Sequence, residues 1–151
     1  MSHVATVEIQ IKDLEALKTA CKSIGLIFKE NQKSYKWYGS WQNDYSASNA
    51  AYKAGIDPKD YGKCAHAIGI PGNSQAYEIG VVKRPGGTFK LVWDFWNGGF
   101  GLEKVAGKDC SKLVQSYASE VCKKHLKAQG YSLGTTKLND QGEIEMIFTQ
   151  Y

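Results

Sequence analysis

The sequence predicts an α+β fold, a single two-layer domain in which an antiparallel or mixed sheet of about five to seven strands is covered on one face by two helices. Three observations carry that prediction. Apolar and polar residues alternate in several short stretches, clearest in 4–11, 88–96 and 143–149. Apolar residues recur at steps of three and four in two stretches, 14–24 and 113–126. Turn-forming residues, Pro85-Gly86-Gly87 and Asn139-Asp140-Gln141-Gly142, sit where hairpins need them.

In Val4 to Ile11, Val7, Ile9 and Ile11 fall on one side and Thr6, Glu8 and Gln10 on the other, the pattern of a half-buried strand. Asp13 is placed to cap the next segment, where Leu14, Leu17, Cys21 and Ile24 form one stripe before Gly25 supplies a left-handed stop. Apolar residues resume at Leu26, Ile27 and Phe28, and Lys33 to Tyr38 adds aromatic ones, which predicts one or two strands. From Gly39 to Lys63 the chain is rich in Ser, Asn, Asp, Gly and aromatics, with a turn at Asp57-Pro58 and one helical turn around Ala47 to Lys53. A loop-rich insertion over the sheet is expected at 39–63.

Cys64 to Ile70, Tyr77 to Arg84 and Thr88 to Trp96 read as three strands, the last two joined by Pro85-Gly86-Gly87. Phe89, Leu91, Trp93 and Phe95 share one face of the third, and that face is expected to meet the core. Asn97-Gly98-Gly99-Phe100-Gly101 breaks the pattern. Leu113, Val114, Tyr117, Ala118, Val121, Cys122 and Leu126 then trace a wide helical stripe that stops at Gly130. Tyr131 to Leu138 and Glu143 to Thr149 close the chain as a hairpin, with Ile144, Met146 and Phe148 on one face.

A chain of 151 residues is long enough to bury about 68–70% of its extended surface without disulfides or metals to staple it. Apolar residues at 42% and charged residues at 23% are globular proportions, so order is expected nearly end to end. The formal charge of +4 is spread along the chain and implies only a mild preference for acidic partners. No secretory leader is visible after Met1 and no stretch reaches the length of a membrane span, so neither export nor membrane insertion is expected. Cys21, Cys64, Cys110 and Cys122 are read as reduced thiols, Cys21 and Cys122 because they fall in helical apolar stripes.

Several segments in this order resemble a known family: Val4 to Ile11 followed by Asp13-Leu14-Glu15-Ala16-Leu17, Tyr77-Glu78-Ile79-Gly80-Val81, Leu91-Val92-Trp93-Asp94, and Gln115-Ser116-Tyr117-Ala118 before Gly130-Tyr131. The sequence is similar to the hypothetical chloroplast open reading frame thirty-five family, small domains of unknown function in plastids, cyanobacteria, other bacteria and some phages. The resemblance thins between Gly39 and Lys63. It implies a compact α+β domain in the cytoplasm, the plastid stroma or a phage-infected cell, and it brings no activity, cofactor or catalytic residue.

Zinc sites use paired Cys or His at short spacing, because two ligands from one turn prearrange half a tetrahedron. Cys64 with His66 and Cys122 with His125 each offer such a half, but neither repeats, and no metal or cofactor is assigned. Cys64 and His66 would point the same way from a strand and could be read as nucleophile and base, yet no third, orienting group can be named. Phosphate-binding glycine loops are missing; Asn97 to Gly101 follows a strand and precedes a helix, which suits either an anion or a plain sheet-to-helix turn. Asp94, opposite the expected core face, reads either as a functional carboxylate or as a solvent-facing strand residue. One expectation is a small-ligand protein or enzyme that uses Asp94, His66 and Cys64 around a cleft beside the sheet.

The most distinctive composition is aromatic and basic: Lys29, Lys33, Tyr35, Lys36, Trp37, Tyr38, Trp41, Tyr45, Tyr52, Lys53 and Tyr61. Exposed Tyr and Trp anchor protein interfaces at low entropic cost. The leading expectation is therefore a non-enzymatic binding or adaptor module that engages a protein partner through Tyr35, Trp37, Tyr38, Trp41 and Tyr45. Aromatic faces also stack on unpaired bases while lysines neutralise phosphates, so single-stranded nucleic acid is the alternative partner. Lys108, Lys112, Lys123, Lys124 and Lys127 give the long helix a basic outer side, read as solvated.

Overall fold

The computed structural model describes residues 4–6, 10–37, 62–138 and 144–150. Tyr38, Trp41, Tyr45 and nearly all of the 39–63 insertion lie outside them, as do Val7, Ile9 and the turn at 139–142.

Five strands form one sheet in the order β1-β5-β4-β3-β2: β1 Val4–Thr6, β2 Ile27–Lys29, β3 His66–Gly69, β4 Ile79–Lys83 and β5 Phe89–Asp94. Every pairing is antiparallel. The β4–β5 hairpin turns at Pro85-Gly86-Gly87 as expected, with Gly86 and Gly87 at positive φ and the Arg84 N–H donating to the Thr88 carbonyl. Strands β6 Tyr131–Leu138 and β7 Ile144–Gln150 form the closing hairpin as a separate two-stranded sheet, so the seven strands among the described residues are divided between two sheets. Of the expected strand from Lys33 to Tyr38, the described residues 33–37 form no strand and make a single bridge, Ser34 to Lys63.

Helix α1 spans Leu14–Ser23, and the Asp13 side chain caps it by accepting from the Ala16 N–H at 3.0 Å. Gly25, at φ +86, ends it. A short helix α2, Leu102–Ala106, precedes the long helix α3, Ser111–Ala128. Helices α1 and α3 are tied by a 2.7 Å contact between the hydroxyls of Ser23 and Ser116, and by the Tyr117 hydroxyl, which accepts from the N–H groups of Lys12 and Asp13. Lys124 Nζ donates to Asp13 at 2.6 Å and holds that carboxyl below its usual range.

The main core lies between the helices and one face of the sheet. Leu17, Cys21, Leu102, Leu113 and Tyr117 pack on Ile68, Ile79, Val81, Leu91 and Trp93, with Phe89 and Phe95 at the margin. The expected face of β5 is thus the core face. The apolar stripe of α3 is buried only in its first half; Ala118, Val121 and Cys122 are exposed, which removes Cys122 from the core.

The sheet's second face carries its own smaller cluster, Tyr35, Trp37, Ala67 and Val92, flanked by Cys64 and Val82. The segment 33–37 lies over this face. It is held by Tyr35 N–H to the Gly62 carbonyl, Cys64 N–H to the Lys33 carbonyl and Glu78 N–H to the Lys36 carbonyl. Among the described residues, no helix is long and apolar enough to cross a membrane.

Candidate functional site

Three lines of lysine-bearing chain meet on the second face: the crossing segment at Lys33, the approach to β3 at Lys63, and the β4–β5 hairpin at Lys83 and Lys90. They surround a cleft of about 430 Å³. Its floor is apolar, with Val82 opposite Lys90 in the β4–β5 register and Val92 two residues further along β5. Ala65 and Cys64 continue it toward β3, and Tyr35 closes one side. None of the described lining residues is acidic, and Lys33, Lys63 and Lys83 have no ion-pair partner among the described residues. The buried carboxylate just before β4 is used structurally. Glu78 accepts from Lys29 Nζ at 2.6 Å, Gln32 Nε2 at 3.1 Å and the Lys36 N–H at 3.1 Å.

The expected polar trio does not assemble. Cys64 lines the cleft, and its thiol donates to the Gln32 carbonyl at 3.2 Å; burial pushes its pKa up to about 12, so it stays a thiol. His66 faces the other way, because the chain bends at Ala65 before β3 begins and breaks the two-residue alternation. Its ring packs between Phe28 and Phe89, and Nδ1 accepts the Asn31 N–H at 2.9 Å. A nucleophile and its base on opposite faces cannot exchange a proton, so Cys64 and His66 do not form a dyad.

Asp94 is fully buried rather than solvent-facing, and one of its oxygens accepts the Trp96 N–H at 2.9 Å. It shapes the chain reversal after β5. Cys122 and His125 are both exposed on α3, and His125 approaches Gln129 rather than a metal partner set. No group of three or more His, Cys, Asp or Glu among the described residues is arranged to hold a metal ion.

Two of the five expected partner-binding aromatics can be placed. Tyr35 and Trp37 are 3% and 1% exposed, so their rings fill the second-face cluster and are not presented to a partner. The exposed aromatics among the described residues are elsewhere. Asn97, Gly98, Gly99 and Phe100 all take left-handed backbone angles, and this turn displays Trp96 and Phe100 about 40% exposed with ring centroids 5.9 Å apart. Phe100 also meets the buried Tyr77 edge-on at 5.1 Å. Asn and Gly tolerate such angles, but Phe at φ +56 is strained, by an amount on the order of 1 kcal/mol. The sequence signal for the turn was present in Asn97-Gly98-Gly99; that it would lift two rings into solvent was not.

A protein-family model described as "Protein of unknown function (DUF1257)" matches residues 24–147. The chain belongs to that family. No curated protein and no solved structure matches it. In this DUF1257 member the matched span contains every described residue of the lysine cleft and the Trp96–Phe100 turn, and it begins just after helix α1.

Proposed function

We propose that this DUF1257 domain is a non-enzymatic binding module whose working site is the lysine cleft, and that it takes a phosphate-bearing ligand there. One observation carries the reading: Lys33, Lys63 and Lys83, from three separate parts of the chain and without an ion-pair partner among the described residues, converge on a cleft with an apolar floor and no acidic residue among its described lining. Several cationic side chains around one cleft attract an anion together. The raised pKa of Cys64 and the opposite facing of His66 argue for binding rather than chemistry on the ligand. A titration with inorganic tripolyphosphate at low and high salt tests it. Affinity should fall as salt rises and fall again in Lys63→Glu; a flat titration at low salt sinks the reading.

A second reading keeps the protein partner but moves it from the Tyr35 to Tyr45 aromatics to the displayed pair Trp96 and Phe100. Strain held in a turn that exposes two aromatic rings supports it. Tagged domain purified from host lysate after nuclease treatment should retain a stoichiometric protein that the double variant Trp96→Ser/Phe100→Ser loses. Equal recovery by both removes this surface. We further propose that within DUF1257 the chain sits with the chloroplast open reading frame thirty-five proteins it resembles, and that it works in the cytoplasm or stroma.

A further inference from the structure

We infer that the lysine cleft is a nucleoside di- or triphosphate site, with the phosphates on the lysine rim and the base on the apolar floor. The inference rests on the anion-site reading above and adds the identity of the ligand's body.

Size comes first. A cleft of about 430 Å³ lies within the range of small-molecule pockets, roughly 300–1,000 Å³, and is bounded by Tyr35 and Cys64 on one side and the β4–β5 hairpin on the other. A nucleic-acid strand would need a continuing groove along its backbone.

Inorganic phosphate needs only cations and N–H donors, whereas the half-buried Val82 and Ala65 and the buried Val92 give the cleft an apolar floor that no phosphate would use. That surface fits a weakly polar body such as a nucleobase. A ligand that unites such a body with two or three phosphates matches both parts of the cleft.

The charge count agrees. Lys33, Lys63 and Lys83 are exposed and carry no carboxylate partner among the described residues, while Lys18, Lys29, Lys123 and Lys124 each meet one. Several unneutralised ammonium groups suit a ligand of charge minus three to minus four better than a monophosphate.

Calorimetric titration of the whole chain with ATP, GTP, adenosine, tripolyphosphate and a twenty-residue oligothymidylate is the test, read alongside circular dichroism of each variant. The expected result is nucleotide binding at least about tenfold tighter than tripolyphosphate, with no binding of adenosine. Lys63→Gln and Lys83→Gln should each weaken nucleotide binding about three- to tenfold, in the range of one lost charge-assisted contact. Val82→Asp should weaken nucleotide more than tripolyphosphate. Both lysines are exposed, so these variants should fold normally.

Equal affinity for ATP and tripolyphosphate overturns the nucleoside assignment and leaves the anion site standing. Tighter binding of the oligonucleotide than of any mononucleotide overturns it in favour of a strand. Nucleotide binding unchanged by both lysine variants places the ligand elsewhere and overturns it too. No binding of any phosphate compound removes the inference and the underlying reading together.

Discussion

The ring of Tyr35 lies directly against the backbone of Gly80: a Cβ added to Gly80 would sit 2.5 Å from Tyr35 Cδ1 and 2.7 Å from Cε1. Gly80 is therefore the seat that lets the crossing segment reach the sheet and close one side of the cleft.

Gly80→Ala should destabilise the fold by about 1–3 kcal/mol through overpacking alone. Gly98→Ala offers the opposite case, since its Cβ would meet nothing within 4 Å but its φ is +66. Its cost, about 1–2 kcal/mol, comes from the left-handed backbone. A double-mutant cycle separates the two mechanisms: Tyr35→Ala should absorb much of the Gly80→Ala penalty and none of the Gly98→Ala penalty. Denaturant unfolding reads all of them, and additive values at positions 35 and 80 would contradict the contact.

Glu78 is 4% exposed and accepts three hydrogen bonds, one of them from the Lys36 backbone. Glu78→Ala strands a backbone donor and Lys29 together, and should cost at least about 1–3 kcal/mol. Lys29→Ala leaves Glu78 with two partners and should cost less. Chemical denaturation of both variants checks the order, and the reverse order would mean that the ion pair rather than the backbone contact holds the crossing segment.

His66 gives the fold a pH dependence of definite sign. Burial lowers its pKa below 6.5, and its Nδ1 must stay unprotonated to accept the Asn31 N–H. The unfolded chain therefore takes up the proton first. Stability is complete above about pH 6.5 and is lost as pH falls through the folded pKa. His66→Leu should have a lower melting temperature at pH 7 than the parent but a flatter profile from pH 7 to 5. Identical slopes for the two proteins would rule out His66 as the source.

The four cysteines are free and differ in access. Burial pushes Cys21 and Cys64 up to about 12 and Cys110 higher still, while Cys122 is exposed. At pH 8 the native protein should give one fast-reacting thiol with Ellman's reagent, lost in Cys122→Ser, and four in denaturant. If Cys64 reacts as fast as Cys122, it is not the inert cleft-lining thiol described above. Nucleotide that slows Cys64 labelling in the Cys122→Ser background would give an independent readout of the cleft.

Local features were legible in the chain wherever a nearest-neighbour rule governs them. Asp13 caps α1 because a side chain three residues from the N–H it accepts needs no distant partner. The alternation of Phe89, Leu91, Trp93 and Phe95 marks the core face because a strand has only two faces and one of them meets the helices. Gly25 and Pro85-Gly86-Gly87 end elements through their own backbone preferences. The same logic failed at Cys64 and His66, where a bend at Ala65 changed the face between residues two apart.

The sequence by itself determined an α+β chain of short strands, two main helices and their caps, because period, turn chemistry and capping act over a few residues; that every pairing in the larger sheet is antiparallel was decided by the tertiary structure. Only the tertiary structure decided what the second face of the sheet would be. Tyr35 and Trp37 look like surface aromatics in the chain and are buried because the 33–37 segment folds back across Gly80 and Ala67. Lys33, Lys63, Lys83 and Lys90 look dispersed and converge because β3, β4 and β5 pair antiparallel beneath that segment. Both outcomes depend on contacts between residues far apart in sequence, whose formation no local pattern records.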